Sequence, residues 1–127
     1  MIVYYELLPQ AYLLVLAASP TPNPAAEAQL AEQLRQAARS GKPAVWVDCR
    51  LLPRLSRPAA CLLWACHYRR RRRRRQARLV LCRVSAPLAQ ALEQAGPATE
   101  LCQVSTLHEA VAQLPAYCPR PWVARGQ

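Results

Sequence analysis

"PAVWVDC" (Pro43–Cys49) is a continuous apolar run that closes on an aspartate. It shows no alternation of apolar and polar positions. That pattern suits a strand covered on both faces, which in soluble proteins points to a largely parallel sheet flanked by helices. Asp48 then stands at the strand's carboxyl end, where α/β proteins commonly build their sites.

The segments on either side agree with that reading. Upstream, "AAEAQLAEQLRQAARSGK" (Ala25–Lys42) places Leu30, Leu34, Ala37 and Ala38 on one helical face and the charged residues on the other. Asn23-Pro24 offers a start for this helix and Gly41 a stop. Before it, "SPTPNP" (Ser19–Pro24) breaks the chain. "IVYYELL" (Ile2–Leu8) and "AYLLVLA" (Ala11–Ala17), split by Pro9-Gln10, read as two strands joined by a tight turn.

Downstream, "RLLPRLSRP" (Arg50–Pro58) is a loop, and "AACLLWACHYRRRRRR" (Ala59–Arg74) is a helix with an apolar start and a cationic end. Leu62, Leu63, Cys66 and Arg70 are distributed around it. "ARLVLCRV" (Ala77–Val84) is a second buried strand. "SAPLAQALEQAG" (Ser85–Gly96) is a short helix with Ser85 as N-cap, and "TELCQV" (Thr99–Val104) is a strand. "STLHEAVAQL" (Ser105–Leu114) closes the pattern with a helix capped by Ser105 or Thr106 toward Glu109. The predicted order is β-β-α-β-α-β-α-β-α, an α/β fold with a mixed, mostly parallel sheet and an antiparallel hairpin at one edge. One domain spans residues 1–115, and residues 116–127 form a proline-rich tail.

Composition sets the remaining bounds. The chain has 127 residues, 53% of them hydrophobic, which excludes global disorder. The net charge of +10 is local in origin: Arg69, Arg70, Arg71, Arg72, Arg73, Arg74 and Arg75 are consecutive, and without them the balance is +3. The six cysteines lie mostly in apolar surroundings such as "LLWAC" and "LVLC", and no CxxC occurs, so free core thiols in a cytoplasmic setting are expected and no metal site is implied. "AYLLVLAAS" (Ala11–Ser19) is too short to span a bilayer and lacks the preceding positive charge of a secretion signal. The chain has only three glycines, so no phosphate-cradling loop is present, and His67 and His108 have no matched acid or nucleophile. The residues therefore indicate neither an enzyme nor a cofactor.

The arginine run closes the second helix, where cations complement the helix dipole, and seven in succession exceed what capping requires. The plainest reading is a solvated cationic helix end with no binding role, and two further roles suit the excess. One is docking of an acidic protein or an anionic membrane face. The other is nonspecific contact with nucleic acid phosphates, although Tyr68 is the one aromatic beside the run and base stacking is poorly served. In either role all seven arginines are expected at the surface, because a buried guanidinium is costly.

Three segments together resemble a known family. "GKPAVWVDCRLLPRLS" (Gly41–Ser56), "ARLVLCRVSAPLAQALEQAGPATEL" (Ala77–Leu101) and "VSTLHEAVAQL" (Val104–Leu114) are similar in order, length and wording to the STAS domain, named for sulfate transporters and anti-sigma factor antagonists. The likeness covers about the first 115 residues and implies a protein–protein interaction module acting in transcription regulation or signalling in bacteria. In that family a serine at the start of the helix after the third strand is phosphorylated by an anti-sigma kinase partner. Asp48 fills the family's first aspartate, Arg50 its small polar position and Leu55 its hydrophobic one. The family's Asp-Ser-x-Gly falls on Ser56, Arg57, Pro58 and Ala59, so the phosphoacceptor position is Arg57. A guanidinium cannot accept phosphate. The resemblance implies a regulatory or scaffold role without the usual phospho-switch, with Ser56 as a helix N-cap or as a displaced acceptor. The alternative is a small basic protein that binds nucleic acid or anionic surfaces through Arg69–Arg75.

Overall fold

Side chains along a strand alternate between its two faces, and in this protein the alternation sorts the apolar residues into two clusters. A computed structural model describes residues 1–73, 78–96 and 102–104. The strands are β1 (Ile2–Leu7), β2 (Ala11–Ala17), β3 (Ala44–Leu51), β4 (Arg78–Cys82) and β5 (Cys102–Val104). The helices are α1 (Ala26–Arg39), α2 (Arg57–Arg73) and α3 (Ala86–Ala95). The strands form one sheet in the order β1-β2-β3-β4-β5. β1 pairs antiparallel to β2, and the other three pairings are parallel. The expected α/β architecture, with a hairpin at the edge of a mostly parallel sheet, is the one observed. The predicted closing helix at Ser105–Leu114 and the tail at 116–127 lie outside the described residues.

Tyr12, Leu14 and Leu16 of β2, Val45, Val47 and Cys49 of β3, and Leu79 and Leu81 of β4 face the helices. They meet Leu30, Leu34 and Ala37 of α1, Ala60, Leu63 and Trp64 of α2, and Leu88 and Leu92 of α3 in one core. All three helices therefore cover the same face of the sheet. On the other face Ala11, Leu13, Ala44, Trp46, Val80 and Cys82 form a second buried cluster. Burial on both faces is why the β3 sequence shows no alternation.

Several boundaries differ from the sequence reading for local reasons. α1 begins at Ala26 rather than directly after Asn23-Pro24, because Asn23 first forms a turn. Its Oδ1 accepts the Ala25 N–H at 3.1 Å, and its carbonyl accepts the Ala26 N–H at 3.1 Å. α1 ends as expected at Gly41, whose φ of 74° is the left-handed conformation that glycine adopts without strain. β3 runs on to Leu51, held there by the Ala18 N–H donating to the Leu51 carbonyl at 3.0 Å. Ser85 caps α3 as predicted, its hydroxyl accepting from the Leu88 N–H at 3.5 Å.

The main correction concerns the arginines. Arg70 is buried, with 7% of its surface exposed, and its Nη2 donates to the Lys42 carbonyl at 3.0 Å. It lies on the inward stripe of α2 with Leu63 and Cys66 and so is not part of a surface patch. Arg69 is exposed. Arg71, Arg72 and Arg73 continue the helix backbone, and Arg74 and Arg75 lie outside the described residues.

Candidate functional site

The residues that the sequence singles out lie in β3 and at the start of α2. Asp48 is buried at 6% exposure, and its Oδ1 accepts the Arg50 N–H at 3.0 Å. That bond lies where the register of β3 against β2 shifts, between the Val15–Asp48 and Ala17–Leu51 pairs, so the aspartate braces an irregularity within the strand. The Leu52 N–H then donates to the Cys49 carbonyl at 3.1 Å, and the chain crosses to α2 with Leu52 buried beneath it.

Ser56 stands at the N-cap of α2. Its Oγ accepts the Ala59 N–H at 3.2 Å, and its carbonyl accepts the Ala60 N–H at 2.9 Å. The same hydroxyl donates to Glu27 Oε2 in the first turn of α1, at 2.9 Å. Both of its hydrogen-bonding roles are thus occupied. α2 has no acid in its own first turn, so Glu27 brings a carboxylate to a helix N-terminus, where negative charge is favoured. Arg57 follows as the first helical residue and Pro58 as the second, both exposed. Proline is tolerated there because its missing N–H would have no partner within the helix.

Ser56→Ala is expected to lower stability by about 1 kcal/mol, the usual cost of a lost N-cap, and Ser56→Asn, which keeps a neutral capping acceptor beside Glu27, to cost much less. Urea titration of the two variants checks this. Equal losses would remove the capping role.

Among the described residues, Cys49 and Cys66 are buried free thiols, Cys61 is an exposed one, and Cys82 is buried. Burial, with smaller contributions from Asp48 and Cys82, pushes the Cys49 thiol up to about 12. Burial also raises the Cys66 thiol, against the opposing influence of Arg70 and Arg69. A protonated thiol is a weak nucleophile and a poor metal ligand. Among the described residues no cluster of three or more His, Cys, Asp or Glu side chains could hold a metal ion. Nor is any helix among them long and apolar enough to cross a membrane.

Of the residues that the sequence reading singled out, Asp48 lies in β3, and Ser56, Arg57 and Pro58 open α2. That reading missed Glu27. The Ser56–Glu27 contact joins residues 29 positions apart, and nothing local in either segment signals it.

No protein-family model matches the sequence, and no curated protein matches it. Solved structures do match the fold. One is a serine-to-glutamate variant of RsbS from Moorella thermoacetica, with a TM-score of 0.71 at 13% identity, covering 90% of this chain and 95% of that one. The anti-sigma factor antagonist SpoIIAA in its unphosphorylated form matches with a TM-score of 0.65 at 15% identity, covering 89% and 97% of the two chains. A chain of the stressosome, a signal integration and transduction hub, matches at 0.67 with 11% identity, covering 89% and 96%. These neighbours are STAS-domain proteins, and their agreement extends over nearly the whole length of each chain. The chain has the STAS fold.

Proposed function

We propose that this protein is a STAS-type protein-docking module, of the anti-sigma factor antagonist kind, that works without a phosphoacceptor at the usual helix position. The observation that carries the reading is the start of α2, where Ser56 is the N-cap and Arg57 takes the first helical place. The Ser56 hydroxyl donates a hydrogen bond to Glu27, and a phosphate on its Oγ would sit against that carboxylate. Like charges at such a distance oppose each other, so the corner disfavours phosphorylation at Ser56 as well as lacking it at Arg57. The helix terminus receives its negative charge from Glu27 instead. The partner is a regulatory protein, an anti-sigma kinase or a relative of one, engaged through a corner with a fixed charge. We place the module in residues 1–115, in the cytoplasm, with no cofactor and no chemistry of its own.

The test is incubation with an anti-sigma kinase of the STAS circuit and ATP, read by mass spectrometry. No phosphate is expected on the unaltered chain. Ser56→Asp with Arg57→Ser restores the family pattern and should admit phosphate at position 57 if the docking surface is kept. Efficient phosphorylation of unaltered Ser56 would overturn the reading.

A further inference from the structure

Among the described residues β1 is an edge of the sheet, and its pattern matches itself. β1 pairs only with β2 among the described residues, and it carries three large exposed groups: Tyr5 (56%) and Leu7 (59%) on the helix face of the sheet and Tyr4 (55%) on the other. Edge strands are usually protected by lysine, proline or a bulge. β1 has none of these in "IVYYEL", where Glu6 is the one charge.

The hydrogen-bonding direction of each β1 residue follows from the hairpin. The Leu8 N–H donates to the Ala11 carbonyl at 2.9 Å, which makes Leu8 and Ala11 a hydrogen-bonded pair. Bonded and non-bonded pairs alternate along an antiparallel ladder. With Leu7 opposite Tyr12 and Glu6 opposite Leu13, the backbone groups of Glu6, Tyr4 and Ile2 point to β2. Those of Val3, Tyr5 and Leu7 point outward.

We infer that β1 is a homodimerisation edge, pairing antiparallel with β1 of a second copy about a two-fold axis at Tyr5. A two-fold perpendicular to the sheet keeps both sets of helices on one side, and it requires partner residues of the same parity. Of the registers centred on a residue whose backbone points outward, the one at Tyr5 uses all three such residues of each strand. Tyr5 then faces Tyr5 of the other copy, and Val3 faces Leu7 in both directions. On the helix side these are apolar and aromatic pairs, the kind that stabilise a sheet. On the other side Tyr4 faces Glu6, so the lone carboxylate meets a phenol rather than its own copy. A register centred on Val3 would leave Leu7 without a partner, and one centred on Leu7 would strand Val3. Tyr5 already stacks on Tyr12, with ring centroids 5.8 Å apart and planes at 14°, so its ring is ordered before any partner arrives. The five strands of each copy become one continuous sheet.

Sedimentation velocity across a concentration series tests this. A reversible dimer is expected for the unaltered chain. Tyr5→Lys places like charges at the two-fold axis and should weaken the dimer by about tenfold or more. The circular dichroism spectrum should stay unchanged, because the backbone groups of Tyr5 do not serve β2, and thermal melting should fall only by the lost stacking on Tyr12. A second experiment fixes the register independently. With Cys61 and Cys118 replaced by Ser, Tyr5→Cys should cross-link to its copy under oxidation. Leu7→Cys should not, because it is displaced from its own copy by about 13 Å along the strand, outside disulfide reach. A monomer at every concentration, a dimer indifferent to Tyr5→Lys, or a cross-link at Leu7→Cys in place of Tyr5→Cys would each overturn the inference.

Discussion

Trp64→Ala should lower the stability of the fold by about 3–5 kcal/mol, the range for emptying a buried aromatic site. A domain of this kind is stable by only about 5–15 kcal/mol in total, so the variant should sit near the edge of folding. Trp64 is 4% exposed and lies where α2 meets α3. Its Nε1–H donates to the Leu92 carbonyl at 3.1 Å, in the last turn of α3, which fixes the ring's position as well as its depth. Tyr68 stacks on it at 5.6 Å and 25°, and His67 approaches edge-on at 5.9 Å and 84°.

Gly96, which ends α3, exists to admit that ring. Its φ of 176° is extended backbone open to any residue, so the requirement is one of space. A Cβ at position 96 would come within 2.8 Å of Trp64 Cε2 and 3.0 Å of Cδ2. The ring is held by its hydrogen bond and cannot swing aside cheaply. Gly96→Ala should therefore cost about 1–3 kcal/mol as overpacking. The two positions share one contact, so their effects should not add. In a Trp64→Leu background Gly96→Ala should cost much less than it does alone. Guanidinium titration of the four chains checks this, and simple additivity would show that the glycine is required for something other than the indole.

Much of the fold was legible in the sequence because burial leaves a periodic trace. The unbroken apolar run at Ala44–Val47 announced a strand covered on both sides. The spacing of Leu30, Leu34 and Ala37 announced the inner face of α1. Turn chemistry was equally direct at Gly41 and Ser85, where one residue decides the outcome locally. The candidate site was half legible. Ser56 could be read as a cap from its place before Pro58, but its pairing with Glu27 depends on how α1 and α2 lie on the sheet, and no short segment encodes that. Arg70 was misjudged for a different reason. Its spacing from Leu63 and Cys66 puts it on the buried stripe, yet the charge of the run suggested a uniformly solvated surface. A long arginine stem can lie in a core if its head reaches an acceptor, and the acceptor here is a backbone carbonyl in a loop 28 residues away.

That misjudgment gives the second large expectation: the arginines of the run should be unequal in their cost. Arg70→Gln should lower stability by about 1.5–3 kcal/mol, the span for a hydrogen bond made by a charged group. Arg69→Gln, at an exposed position, should stay within about 0.5 kcal/mol. The Arg70 guanidinium reaches the Lys42 carbonyl just before β3 begins, so it ties the later turns of α2 to the loop that delivers the central strand. A glutamine at this place is too short to make the same bond and leaves both the carbonyl and its own amide to find partners in a buried site. Arg70→Met keeps the apolar stem and gives up only the bond and the charge. It should lose less than Arg70→Gln, because it puts no unpaired amide into the buried site. Replacing Arg71, Arg72 and Arg73 together with Gln should leave stability unchanged or raise it as self-repulsion falls, and should make heparin binding weaker and less salt-dependent. Thermal and urea unfolding of these variants at one ionic strength decide the matter. If Arg69 and Arg70 prove equally dispensable, the Lys42 bond contributes nothing and the run acts as one surface. If the triple variant fails to fold, the run belongs to the core more deeply than Arg70 alone, and its charge is structural in origin.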